Sequence, residues 1–298
     1  MKDETPVRQI KVGKNSKVSN LLELFSSTGF NAKRLGRACE IYKSMIADPK
    51  CVKIMTLAGA MVPAGMRGVI AGYIKSGYVD ILVTTGANLT HDLVESLGCH
   101  HLQGSEMASD EQLLELQTNR IFDVFMPNTC YEKMEDFITT LEFDKEMPLF
   151  KFLDYLGEAL GCLPKKNIED SILHACHEMN VPVYCPAFTD CGLGIQLLMN
   201  HKNMKLDMFA DLNSMINQAW EWESVGVFII GGGVPKNFTF QALQFSPNSA
   251  TYAIQVTMDR PESGGLSGAS LNEAISWGKV NAKAPFVTVV DRKSTRLN

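Results

Sequence analysis

The stretch Val225-Gly226-Val227-Phe228-Ile229-Ile230-Gly231-Gly232-Gly233 decides the fold. Its apolar run is nearly continuous, the mark of a strand buried on both faces rather than of a half-exposed one. The three glycines that follow let backbone approach a ligand closely, or expose amides to a phosphate at a helix start. A tight turn without a ligand explains them as well. The G-x-G-x-x-G dinucleotide fingerprint is absent as a strand-to-helix element, so an ordinary Rossmann cofactor site is not supported.

Outward from that strand the pattern repeats. Val52–Ala58, Val79–Thr84, Val181–Cys185 and Thr251–Val256 read as further buried strands. Between them, Gly65–Gly77, His91–Leu97, Met147–Gly161, Ile168–Met179, Leu206–Trp222 and Leu271–Trp277 read as helices. Upstream, Leu21, Leu22, Leu24 and Phe25 form one apolar helical face. Leu35, Ala38, Ile41, Tyr42 and Ile46 form a second, after the Thr28-Gly29 break. Apolar strands alternating with helices predict an α/β fold: a doubly wound, mostly parallel sheet flanked by helices. Ligands in such folds bind at the carboxyl ends of the strands. Residues 84–91, 186–194 and 231–237 are therefore expected to form the loops that carry chemistry. One domain is expected over residues 19–290, after a loose polar arm over 1–18.

The chain has 298 residues, 45% of them hydrophobic, 20% charged, with a net charge of −5. That balance argues for a substantial core and against disorder or a nucleic-acid surface. The eight cysteines form no CxxC pair, and the first residues carry no apolar signal core. Reduced thiols in a cytoplasmic protein are expected. No apolar run is long enough for a membrane span.

Three segments bear on chemistry. Thr189-Asp190 follows a strand, so Asp190 either accepts bonds from ribose hydroxyls, faces an ammonium, or caps a helix. In Ser270-Leu271-Asn272-Glu273-Ala274-Ile275-Ser276-Trp277-Gly278-Lys279, Ser270 and Glu273 fit a capping box, and Gly278 ends the short helix. Lys279 then sits beside the Trp277 indole. Partial desolvation there lowers the pKa of an amine and frees it as a nucleophile, while an indole face attracts ammonium groups. Spacing alone favours a surface lysine lying over a tryptophan. Among the histidines, His174 and His177 lack a second ligand cluster, so no metal is expected. His91 lies near a strand end, as either an acid/base group or a cap.

Taken together, these segments resemble the deoxyhypusine synthase family. The resemblance rests on Ser276-Trp277-Gly278-Lys279 with Glu273, and on Gly231-Gly232-Gly233-Val234 with Lys236. Pro186-Ala187-Phe188-Thr189-Asp190, Val83-Thr84-Thr85-Gly86, Ser27-Thr28-Gly29-Phe30 and Gly36-Arg37-Ala38 add to it. Order and spacing agree from about residue 20 to about 290. The resemblance implies a homotetramer with active sites between subunits. It also implies a reaction in which NAD takes hydride from spermidine, a lysine captures the aminobutyl group as an imine, and a lysine of a translation initiation factor receives it. Carried over, Lys279 is the imine-forming nucleophile and Trp277 and Glu273 line the amine pocket. Asp190 meets NAD ribose, and Gly231, Gly232, Gly233, Thr84, Thr85 and Gly86 line the cofactor cleft.

Departures accompany the match. Asn237 stands where the resemblance implies a histidine that helps proton transfer. Ile195 and Leu266 replace acidic residues that hold the far end of the polyamine, and Thr90 and His91 replace a pair of glutamates. The motifs Gly-Ala-Asn-x-x-His-Asp and Gly-Gly-Gly-Val-Pro-Lys-Asn-Phe resemble a deoxyhypusine synthase-like branch, for which homospermidine synthesis from putrescine is implied. Residues 291–298 turn basic and do not match, and a truncated or foreign tail is expected there. A second reading is a degenerate member that binds polyamine or NAD, or regulates a paralogue, without catalysing.

Overall fold

The structure is a computed structural model that describes residues 5–291. The expected tail falls almost wholly on residues 292–298, outside the described residues. Residues 5–17 contain no regular element, and the Arg8 amide docks on the Ser27 carbonyl at 3.0 Å. Two helices follow, α1 (Val18–Phe25) and α2 (Phe30–Ala47). Then come β1 (Cys51–Leu57), α3 (Arg67–Lys75), β2 (Ile81–Thr84) and α4 (Gly86–Ser96).

A lateral excursion comes next. It holds β3 (Leu102–Gln103), α5 (Asp110–Glu115), β4 (Thr118–Ile121), β5 (Val124–Pro127) and α6 (Thr129–Thr139). Its three strands pair antiparallel in the order β3-β5-β4. The chain returns through β6 (Glu146–Pro148), α7 (Leu149–Leu160), α8 (Lys165–Ile168), α9 (Ile172–Glu178) and β7 (Val183–Tyr184). It ends with α10 (Gly192–Asn200), β8 (Lys205–Asp207), α11 (Met208–Glu221), β9 (Ser224–Ile230), α12 (Gly233–Gln244), β10 (Tyr252–Thr257), α13 (Leu271–Ser276) and β11 (Phe286–Val290).

The main sheet has six strands in the order β11-β10-β9-β1-β2-β7, and every pairing is parallel. Val225, Val227 and Ile229 of β9 point to a core shared with α11, α12 and α13. The opposite face of the sheet carries two further cores. Met55, Leu57 and Leu82 pack with α3, α4, α7 and α9, and Ile254, Val256 and Val289 pack under α2. Both faces are therefore covered, as the apolar runs require.

Chain order runs outward from β1 in one direction through β2 and β7, and from β9 in the other through β10 and β11. The switch of direction lies between β1 and β9, where a doubly wound sheet opens a crevice at its carboxyl end. Among the described residues no helix is long and apolar enough to cross a membrane.

Three expectations need correction. His91 is not in a loop: α4 starts at Gly86, so His91 lies on its second turn. Residues 231–237 are only briefly a loop, because α12 begins at Gly233. The sheet and helices over 102–139 are absent from the sequence reading, as are α10 and β11.

Candidate active site

The residues singled out above fall into two groups, most of them at the carboxyl end of the sheet; α13 carries Trp277 and Lys279 back from it, and the Lys279 carbonyl accepts the Ala250 amide just before β10 begins. One surrounds the ends of β9 and β10; the other surrounds the ends of β1, β2 and β7. At β-strand spacing, β9 and β2 are roughly 10 Å apart with β1 between them.

The β9–β10 group contains Gly231, Gly232, Gly233, Asn237, Glu273, Trp277 and Lys279. Gly231 and Gly233 adopt φ of 87° and 60°, a backbone that disfavours other residues. At Gly232 the reason for glycine is packing, since a Cβ there would lie 2.5 Å from the Ser267 Cα. Over Gly233 the space is open among the described residues, and a Cβ there would have the Ser267 hydroxyl at 3.6 Å.

Lys236, which the sequence reading used only as part of a motif, is the hub of this group. It is 5% exposed, and its Nζ donates to Gln255 Oε1 at 3.1 Å, the Leu266 carbonyl at 3.3 Å and the Ala269 carbonyl at 2.5 Å. Gln255 Nε2 in turn donates to the Gly231 carbonyl at 3.1 Å and the Ser267 carbonyl at 2.8 Å. The glycine turn and the 266–269 loop are thus tied to one buried ammonium. Burial pushes Lys236 down to about 8, against the pull of Glu273 and with the help of neighbouring Lys279.

That loop leads into α13. The Ser270 hydroxyl accepts the Glu273 amide at 3.2 Å, so half of the capping box forms. The Glu273 carboxylate makes no hydrogen bond among the described residues, which leaves it free and exposed. At the other end, Gly278 takes φ 70° and donates to the Ile275 carbonyl, while the Lys279 amide donates to Ala274. This pair of bonds is a Schellman motif, and it fixes where the Lys279 side chain departs. Lys279 Nζ stands 5.3 Å from the Trp277 ring centroid. Burial lowers its pKa, and Glu273 opposes the shift. The indole is 57% exposed, so one side of the pair is open. Asn237 is half-buried on α12.

The β1–β2–β7 group contains Thr84, Thr85, Gly86, His91 and Asp190. Asn88 organises it. Its Oδ1 accepts the Met61 and Val62 amides at 3.1 and 3.4 Å, and its Nδ2 donates to the Thr85 and Thr84 hydroxyls at 3.2 and 3.4 Å. Thr84 is buried and donates to the Leu57 carbonyl, so its side chain faces inward. A Cβ on Gly86 would meet Cys191 at 2.5 Å; this glycine, too, is required by packing. The cap of α10 is the Cys191 sulfur, which accepts the Gly194 amide at 3.3 Å. Asp190 is therefore not the cap, and its carboxylate remains exposed.

His91 is 9% exposed and bonded through Nδ1 to His101 Nε2 at 2.9 Å. Burial lowers its pKa to about 4, with His101 adding to the shift and Glu95 opposing it. His101 and Glu95 have no place in the sequence reading; the His100-His101 doublet was the available signal. His174 and His177 bond separately to Gly157 and Asp154, and no group able to hold a metal occurs among the described residues. A cleft of about 390 Å³ lies elsewhere, under α1 and α2, between Tyr42, Tyr73, Phe228 and Ile254. None of the residues of the two groups lines it.

Comparison with known proteins shows the family of the chain. The family model "Deoxyhypusine synthase" matches residues 20–295. The chain is 45% identical to "Probable deoxyhypusine synthase 1" of Methanosarcina acetivorans, over 96% of this chain and 90% of that protein. It is 41% identical to the protein of that name from Archaeoglobus fulgidus, over 94% and 91%. It is 33% identical to a "Deoxyhypusine synthase-like protein" of Chlorobaculum parvum, over 93% and 83%. A crystal structure from Entamoeba histolytica that carries the family name superposes with TM-score 0.60 at 17% identity, covering 95% of this chain and 91% of that one. With the parallel sheet, the glycine turn and the Trp277–Lys279 pair in their expected order, the chain belongs to the deoxyhypusine synthase family.

Proposed function

We propose that this protein is an NAD-dependent transferase that moves an aminobutyl group from a polyamine, spermidine or putrescine, through an imine on Lys279 to an amine acceptor. The observation that carries the reading is the Schellman-fixed Lys279, its pKa lowered, lying over the open face of Trp277 beside a free Glu273 carboxylate. A surface lysine with no chemical task needs none of these constraints.

A dinucleotide fits the remaining features. The open space at Gly233 lies at the start of α12, and α4 starts at the end of β2, so two helix N-termini point partial positive charge toward the crevice. Gly231 and Gly232 let the backbone turn there, and Gly86 lets α4 approach α10. The Asp190 carboxylate is exposed and available for ribose hydroxyls, and Thr85, between β2 and α4, is half-buried. NAD, when bound, would supply the hydride acceptor. The chain's own residues bind and hold protons. Glu273 pairs with a substrate ammonium, Trp277 offers its ring to the same charge, and the neutral Lys279 Nζ is the nucleophile. The Asn237 amide at the substrate end of α12 accepts or donates a hydrogen bond without charge.

Ile195 and Leu266 are 54% and 50% exposed, so the surface offers apolar groups where acidic anchors would hold a long cation. That observation favours a short acceptor, putrescine, giving homospermidine, over the translation-factor lysine. The assembly in this reading is a homotetramer whose neighbouring copies close the open side of Trp277.

Borohydride trapping tests the proposal. With NAD and spermidine, mass spectrometry should find an aminobutyl adduct on Lys279, and Lys279→Arg should abolish it and lower turnover by about three orders of magnitude or more. An unlabelled Lys279 in the wild type, with NAD and polyamine both bound, would leave a binding or regulatory role instead. Product analysis with putrescine and with the translation factor separates the two acceptors.

A further inference from the structure

Helix α4 presents Ala87, His91 and Glu95 at four-residue spacing, and hence on one face. Ala87, nearest the end of β2, is exposed. One turn on, His91 Nδ1 meets His101 Nε2 at 2.9 Å, and His101 Nδ1 meets Glu95 Oε1 at 2.6 Å. Glu95 also accepts the His101 amide at 2.8 Å and His100 Nδ1 at 3.0 Å. Burial pushes the Glu95 carboxyl up, and the bonds from His101 and His100 outweigh it, holding it at about 2. Glu95 is thus ionised at neutral pH and can only accept.

The direction of the remaining protons follows. An ionised Glu95 accepts a hydrogen bond from His101 Nδ1–H, and with one proton on the ring the lone pair of His101 lies on Nε2. That lone pair accepts the Nδ1 proton of His91, and His91 keeps its lone pair on Nε2. No residue bonds His91 Nε2. Thr56 Oγ1 is the one side-chain nitrogen or oxygen sealed from solvent without a partner among the described residues, so His91 Nε2, unbonded among them, is not sealed from solvent.

We infer that Glu95 and His101 are positioning residues that lock His91 in the Nδ1–H form, so that its Nε2 accepts the proton of the substrate nitrogen. This rests on the aminobutyl-transfer reading. In the step, the iminium N–H formed on oxidation by the nicotinamide gives its proton to Nε2. The N–H electron pair stays on nitrogen as the imine lone pair, and the Glu95 carboxylate opposes the burial that disfavours the new cation on His91. The same nitrogen of His91 can return the proton to the departing amine. A carboxylate is thereby linked to the proton acceptor through two rings, one helical turn away from it.

Two measurements on the full chain test this. In the first, ¹⁵N-resolved NMR of imidazole nitrogens at neutral pH, without ligands, should show His91 protonated on Nδ1 and bare on Nε2. Glu95→Gln can donate to His101, reverse the chain and put the proton of His91 on Nε2. A wild-type His91 carrying its proton on Nε2 overturns the inference whatever the activity. In the second, kcat and KM for polyamine-dependent NADH formation are compared. His91→Asn should lower kcat on the order of 100-fold with KM changed by less than about 2-fold, and Glu95→Gln and His101→Phe should follow it in kcat. His101→Phe keeps a ring in place, so unchanged kcat there overturns the relay while leaving the transferase reading intact. No NADH formation by the wild type overturns both.

Discussion

Two buried charges stand at opposite ends of the candidate site, and they are handled in opposite ways. Asp92, on α4, is completely buried and sits in a saturated shell. Arg67 Nε reaches it at 2.7 Å, Ser171 Oγ at 3.0 Å, and the first amides of α9, Ile172 and Leu173, at 3.0 and 2.9 Å. Among the described residues, Lys236, on α12, has only neutral acceptors within hydrogen-bonding distance. The first arrangement neutralises its charge and welds α4 to α3 and α9, fixing the helix that carries His91. The second leaves a cation without a bonded counter-ion among the described residues, and the nearby Lys279 charge adds to the lowering of its pKa.

The sharpest way to break the comparison is at Asp92. Asp92→Ala leaves the Arg67 guanidinium, mostly buried, without its partner and strips the start of α9 of its acceptor. Loss of one member of a buried pair costs about 3–5 kcal/mol. Urea denaturation should report that loss, and a cost below about 1 kcal/mol would show that the shell is solvated after all.

Lys236→Met should cost less at pH 7, about 1–3 kcal/mol, because losing the bonds to Gln255, Leu266 and Ala269 is offset by removing a desolvated charge. The pH dependence distinguishes the two ends. The folded pKa of Lys236 is about 8, below its ordinary 10.5. Between those values the unfolded chain holds the proton and the folded chain does not, so the wild type gains stability as pH rises. The penalty is fully present below pH 8 and is lost by about 10.5, a gain on the order of 3 kcal/mol relative to Lys236→Met. Parallel stability–pH curves for the two proteins over that window would remove the case for an unpaired cation.

How much of this is legible in the sequence depends on range. The strands of the main sheet show because they are apolar throughout, and β9 matches its reading to within a residue. The end of α13 shows because Ser270, Glu273 and Gly278 encode their own backbone bonds locally. The antiparallel strands do not show, since Leu102–Gln103 is only two exposed residues and its pairing is set by β5. Nor does the Glu95–His101–His91 chain, which closes across a ten-residue separation through a turn at Gly98. His91 reads as a loop residue because the glycine and asparagine before it suggest a break. In the fold, Asn88 instead bonds the amides of Met61 and Val62, and the helix starts earlier. Lys236 looks like an ordinary loop lysine until tertiary packing surrounds it with carbonyls.

The smallest effect tests the most local claim. Gly278 has open space where a Cβ would go, so Gly278→Ala meets no clash, only the cost of φ 70° for an L-residue. That is about 1 kcal/mol. If the Schellman end alone sets the direction of Lys279, the substitution should shift the aim of Nζ over Trp277 and lower the rate of borohydride-trapped adduct formation by more than its stability cost explains. Lys279 has a second tie, because its carbonyl accepts the Ala250 amide at 3.0 Å. Equal trapping rates in Gly278→Ala and wild type would therefore assign the aim of the lysine to that bond beside β10, and would move the origin of the nucleophile's placement from the helix end to the sheet.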